Sequence, residues 1–185
     1  MSFRWRTLQP LAQKRRQNII NVTTNETPTN FFERLRQRQA SIGSTLCIGL
    51  DPDLSRIPKA CKMSSRPIFE FNKAIIDATI DLAACYKPQI AHYASEAAED
   101  ELMATIEYLK NHNVPVLLDA KRGDVGSTAE MYAREVFERY AADATTVNPY
   151  LGKDAMDPYL DYTDRGVFIL CRTSNPGGSD LQNLL

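Results

Sequence analysis

From residue 45 onward, short apolar runs alternate with longer segments whose apolar residues recur at helical spacing. This alternation constrains the fold more than any other feature, because it is the pattern of repeated β-α units around a parallel sheet. Five strands are expected, at 45–50, 86–91, 115–121, 144–148 and 166–173. Interiors such as Val116-Leu117-Leu118 and Val167-Phe168-Ile169-Leu170 are apolar without alternation. Strands covered on both faces look like this, whereas those of a sandwich alternate more.

Between the strands, Phe71, Ile75, Thr79 and Leu82 fall on one helical stripe, and Leu102, Ile106 and Leu109 on another. Each stripe is wide enough to pack on a sheet. Ser127-Thr128-Ala129-Glu130 has the capping-box form, which predicts a helix beginning just after Gly126. A shorter helical segment is expected at 154–162. A doubly wound sheet would normally carry a glycine-rich turn after its first strand. Here that position reads Gly49-Leu50-Asp51-Pro52-Asp53. The expectation is therefore an α/β fold of the (β/α)8 TIM-barrel kind. Such a barrel runs to about 250 residues, so a chain of 185 should hold only about its first five β/α units.

The formal net charge of -1 offers no broad positive field for a nucleic-acid backbone, and argues against such a partner. The apolar runs fall short of the roughly 20 residues that cross a bilayer, so no membrane association is expected. Cys47, Cys61, Cys85 and Cys171 are far apart in sequence and form no metal-ligand pattern. They read as buried, reduced thiols of a cytoplasmic protein. Residues 1–28 read as a flexible basic and polar extension to a domain at 29–185, with Arg4, Arg6, Lys14, Arg15 and Arg16 preceding the first acid, Glu26. A transit peptide is the competing reading, weakened by the scarcity of serine.

The chemistry concentrates in Asp119-Ala120-Lys121-Arg122-Gly123-Asp124 and the Thr128 beyond it. Side chains alternate along a strand, so Asp119 and Lys121 should project to the same side at its carboxyl end, where barrel enzymes gather their catalytic groups. Asp124 and Thr128 lie farther on and could reach away from their own barrel. A lysine flanked by carboxylates keeps its proton, which suits a proton donor. An isolated D-x-K-x-x-D is nevertheless as compatible with a loop-end salt bridge. His92 and His112 have no nucleophile or ligand nearby in sequence and read as structural or solvent-facing. Arg122-Gly123-Asp124 reads as a coincidental adhesion tripeptide.

This segment resembles the D-x-K-x-x-D signature of orotidine 5'-phosphate decarboxylases, and further pieces follow in the order of that family. They are Cys47-Ile48-Gly49-Leu50-Asp51-Pro52, Tyr86-Lys87-Pro88-Gln89, Thr146-Val147-Asn148-Pro149-Tyr150 and Arg172-Thr173-Ser174-Asn175-Pro176-Gly177. The resemblance implies decarboxylation of orotidine 5'-phosphate to UMP without cofactor or metal. It implies that Lys121 delivers a proton to C6 of the pyrimidine and that Asp119 lies beside the substrate carboxylate. Lys87 would link the ribose hydroxyls to Asp119, Asp51 would accept from the ribose, and Ser174 would bond the pyrimidine edge. Asp124 and Thr128 would enter the site of a second subunit, making a homodimer the functional unit.

The family's phosphate contacts come from segments later than any present before Leu185, so activity of this chain alone is open to question. An unclosed barrel should also leave its first and fifth strands with bare edges. Two alternatives remain: a Mg²⁺-dependent sugar-phosphate decarboxylase or aldolase of the same superfamily, and a non-catalytic barrel fragment.

Overall fold

The computed structural model describes residues 30–184; the basic segment at 1–28 lies outside the described residues. Five parallel strands follow one another around a curved sheet: β1 (Leu46–Leu50), β2 (Ala83–Pro88), β3 (Leu117–Arg122), β4 (Ala144–Val147) and β5 (Gly166–Ile169). β1 pairs with β2, and β3 pairs with β4, which pairs with β5. Isolated parallel bridges, Tyr86 to Val116 and Gln89 to Asp119, join the two groups. This is the expected order of β-α units. The bare edges are also present: Leu46 on β1 and Ile169 on β5 are each 47% exposed.

Several boundaries differ from expectation. β2 begins and ends three residues earlier than 86–91, because Gln89 turns the chain by accepting a hydrogen bond from the Ala91 amide at the start of a short helix. β5 stops at Ile169 rather than at 173. The predicted capping box does not form. The helix there starts at Gly126 itself, with Val125 at its cap and no side-chain cap bond, so Ser127 already lies inside the first turn.

The helices are α1 (Phe31–Ile42), α2 (Lys59–Lys62), α3 (Pro67–Thr79), α4 (Ile90–Ala94), α5 (Glu99–Asn111), α6 (Gly126–Arg134), α7 (Asp157–Leu160) and α8 (Ser179–Gln182). A π-helical turn, Glu135–Arg139, extends α6. The helical segment expected at 154–162 is realised as α7. None of these helices is long and apolar enough to cross a membrane.

Ile68 and Ile76 of α3 and Leu102, Ile106 and Leu109 of α5 form one core with Tyr86, Val116 and Leu118 of the sheet. The α5 stripe is as read from sequence. The α3 stripe is displaced by one position: Ile68, Asn72 and Ile76 are buried, whereas Leu82 is 58% exposed. Asn72 hides the true face from a hydrophobicity reading. Its amide nitrogen donates to Tyr93 Oη and Thr105 Oγ1, which offsets the cost of burying it. The thiols also depart from expectation, since only Cys85 is buried while Cys47 and Cys171 are exposed.

α1 crosses the amino ends of the strands. Asn30 caps it by accepting from the Glu33 amide, and Gly43 ends it in the left-handed conformation, with φ of 65°. Arg34 reaches the buried carboxylate of Asp143 at 2.7 Å, and Arg38 donates to the carbonyls of Ile80 and Ala83. Asp143 in turn accepts from the Val116 amide at 2.9 Å. The fully buried Phe31 ring plugs this end of the sheet, packed with Cys85, Leu117 and Ala144. A Cβ on Gly166 would stand 2.4 Å from Phe31 and 2.8 Å from the Ala144 Cβ, closer than carbon atoms approach. Gly166→Ala should therefore destabilise the chain by about 1–3 kcal/mol through overpacking. Urea titration should show less than additive loss in Gly166→Ala/Phe31→Ala, because removing the ring relieves the closer of the two clashes and leaves only that with Ala144.

Candidate active site

The carboxyl ends of β2 and β3 converge on one carboxylate. Lys121 Nζ donates to both oxygens of Asp119, at 2.8 and 2.7 Å, and Lys87 Nζ lies 3.2 Å from Oδ2. Thr146 of β4 donates to Oδ1 at 2.7 Å, and the Gln89 amide approaches Oδ2 at 3.4 Å. Asp119 is 6% exposed, so its charge is tolerated only because these donors replace water. Burial by itself would raise its pKa. The hydrogen bonds from Lys121 and Thr146, together with the charge of Lys87, outweigh that effect and hold the carboxyl below its ordinary value. Within the trio of Lys87, Asp119 and Lys121, one carboxylate faces two ammonium groups.

The meeting of Asp119 and Lys121 has a different cause from simple alternation. Lys121 has φ of 47°, in the left-handed region that costs most side chains about 1–2 kcal/mol. The β3–β4 register shifts across the same stretch, between Leu118 and Arg122. The Lys121 amide, turned out of the regular ladder, donates instead to Thr146 Oγ1 at 2.9 Å. Thr146 thus clamps the Lys121 backbone and the Asp119 side chain with one hydroxyl. Arg122 is anchored outward, bridging Glu135 at 3.0 Å and stacking over Tyr132.

The remaining candidates are dispersed. Asp51 follows β1, with its carboxylate lying over Gly49 at 3.7 Å from where a Cβ would project. Asp124 Oδ1 accepts from the amide of Val125, and Asp124 forms no hydrogen bond or ion pair with Lys121 among the described residues. Thr128 is exposed on α6, beside a groove shared with Met131, Tyr132 and Glu135. Ser174 is exposed beyond β5, in a segment where Gln182 holds Thr173 through its amide and hydroxyl. Neither histidine joins the cluster: Nδ1 of His92 lies 3.0 Å from the Pro52 carbonyl, and Nδ1 of His112 lies 2.8 Å from that of Tyr108.

Thr146 and Gln89 were not singled out from sequence as site residues. Thr146 could have been found by its place in the fourth strand, because an inward-facing hydroxyl one strand from a charged pair is a natural partner for it.

The description "Orotidine 5'-phosphate decarboxylase / HUMPS family" matches residues 44–185. The chain belongs to the orotidine 5'-phosphate decarboxylase family. It is 57% identical over 157 residues to the orotidine 5'-phosphate decarboxylase of Azoarcus sp. (strain BH72), and 56% identical over 159 residues to that of Cellvibrio japonicus. Each match covers 84% of this chain and 58% of the relative, so the chain spans under three-fifths of the length of these family members. Among solved structures, Leishmania donovani OMP decarboxylase superposes with a TM-score of 0.73 at 39% identity, covering 84% of this chain and 59% of that one. Leishmania donovani UMP synthase gives 0.74 at 40% identity, covering 85% and 33% respectively. The five β-α units are therefore part of the family's barrel.

Two outcomes follow from the geometry. Lys121→Gly should be more stable than Lys121→Ala by about 1 kcal/mol in urea titration, since glycine relieves the left-handed strain that alanine keeps. For Asp119, a folded-state pKa below the unfolded value means that stability is fully present above the ordinary carboxyl pKa of 3.8 and is lost as pH falls through the lower folded value. Subtracting Asp119→Asn from wild type in urea midpoints should isolate this as a difference that shrinks only below that pH.

Proposed function

We propose that this chain carries the decarboxylating site for orotidine 5'-phosphate, producing UMP without metal or cofactor. The observation that carries the reading is the Asp119 carboxylate held between the ammonium groups of Lys87 and Lys121 in a chain of this family. As the bond from C6 to the carboxylate breaks, its electron pair stays on C6 and carbon dioxide leaves. Lys121 stabilises the developing negative charge and then gives C6 its proton, becoming a neutral amine that solvent reprotonates. Asp119, beside the substrate carboxylate, positions Lys121. Lys87 and Asp51 bind the ribose hydroxyls, and Ser174 bonds the pyrimidine edge.

Asp124 and Thr128 act in this reading from a second copy of the chain. Their lack of contact with their own Asp119–Lys121 pair supports that assignment, as does the exposure of Val125 and Met131 beside them. The complete array is then Lys87, Asp119, Lys121 and the Asp124 of the other subunit. A cytoplasmic location belongs to the same reading.

Release of labelled carbon dioxide from carboxyl-labelled orotidine 5'-phosphate tests the assignment. A chelator should leave the rate unchanged, and Lys121→Ala should lower it at least about 100-fold. Absence of release by the wild type, inhibition by the chelator, or a rate untouched by the substitution would each overturn the reading.

A further inference from the structure

Cys47 and Cys85 are register partners on the adjacent parallel strands β1 and β2. Neighbouring strands run about 4.8 Å apart, within the Cα spacing of about 4.4–6.8 Å that a disulfide bridges. Alternation puts both side chains on the face that carries Lys87, one layer below it: Cys85 stands two residues before Lys87, and Cys47 two residues before Gly49, the register partner of Lys87. Their environments differ. Cys47 is exposed, whereas Cys85 is buried in a cluster with Phe31, Leu117 and Ala144. Cys61 sits in α2 and Cys171 beyond β5, away from this strand pair.

We propose that Cys47 and Cys85 are a redox-responsive dithiol, a modification site that a peroxide converts to an interstrand disulfide. Cys47 is the attacking sulfur and Cys85 the resolving one. The adjacent Cys85 thiol brings the pKa of Cys47 down to about 7, against partial desolvation and with help from the charge of Lys87, while Cys85 Sγ itself donates to the Tyr86 carbonyl at 3.5 Å. The neighbouring Cys47, followed by burial, pushes Cys85 up, so it keeps its proton until the second step.

In the first step the Cys47 thiolate attacks one oxygen of hydrogen peroxide. The O–O bond breaks, hydroxide leaves and takes up a proton, and Cys47 becomes a sulfenic acid. The Cys85 sulfur then attacks that of Cys47, the S–O bond breaks, and water leaves with the Cys85 proton. Two thiols are oxidised by two electrons and one peroxide is reduced to two waters. No turnover of a nucleotide is involved, so the site stands or falls separately from the decarboxylase reading.

The test treats the full folded chain with stoichiometric hydrogen peroxide, alkylates the remaining thiols and maps the non-reduced digest by mass spectrometry. Two of the four cysteines should be lost to alkylation. They should be recovered as one Cys47–Cys85 linked peptide that dithiothreitol cleaves. The same treatment in urea should lose this selectivity. In Cys85→Ser, Cys47 should persist as a sulfenic acid that a 1,3-diketone probe traps. Recovery of wild-type Cys47 as a sulfenic or sulfinic acid with Cys85 free would overturn the proposal, as would equal pairing with Cys61 or Cys171, or no oxidation at all. The wild-type map decides the matter even if the variant does not fold.

Discussion

The bonds to the Asp119 carboxylate are the interaction on which the site depends. A carboxylate this far from water is stable only if its oxygens are fully engaged. β2 supplies one ammonium through Lys87, β3 another through Lys121, and β4 a hydroxyl through Thr146. Each donor comes from a different strand, so the cluster forms only once three β-α units have been assembled in order. The same donors keep the carboxyl ionised and hold the amine of Lys121 in one place, at the cost of left-handed backbone strain in that residue. Strain that the surroundings enforce in this way is typical of functional positions.

Beneath the charged layer, the opposite end of the sheet is closed by α1 rather than by the strands themselves. Phe31 fills the space that a side chain at Gly166 would occupy, and Arg34 neutralises Asp143, which itself satisfies the backbone at the entry to β3. A partly open barrel is thereby given a floor. Its open flanks remain visible at Leu46 and Ile169. Rigidity at the floor and concentrated charge at the mouth match the division of labour in barrel proteins, where the amino-terminal face serves stability and the carboxyl-terminal face chemistry.

Much of this could be read in advance, for reasons that individual residues make plain. The unbroken apolar run of β3 announced a buried parallel strand, and Leu102, Ile106 and Leu109 announced the packed face of α5, because both signals reflect burial directly; the equally apolar run of β5 misled, since Phe168 and Ile169 stand exposed on an edge strand. Asn72 defeated the same reasoning on α3: its polarity is compensated by Tyr93 and Thr105, which are remote in sequence. The early end of β2 escaped because the side-chain cap made by Gln89 resembles strand continuation in a hydropathy pattern. In the site, alternation named the right pair, Asp119 and Lys121, for the wrong reason, since a left-handed turn at Lys121 brings them together, and the share taken by Thr146 was not legible at all.

The order of β-α units, the position of the charged motif at a strand end and the family to which the chain belongs were determined by the sequence itself, since each is written in local pattern or contiguous residues. Tertiary structure decided the left-handed turn at Lys121, the clamp made by Thr146, the plug of Phe31 against Gly166 and the pairing of Cys47 with Cys85. These features join residues from different units, and their energies depend on distances between strands, which no stretch of sequence specifies alone.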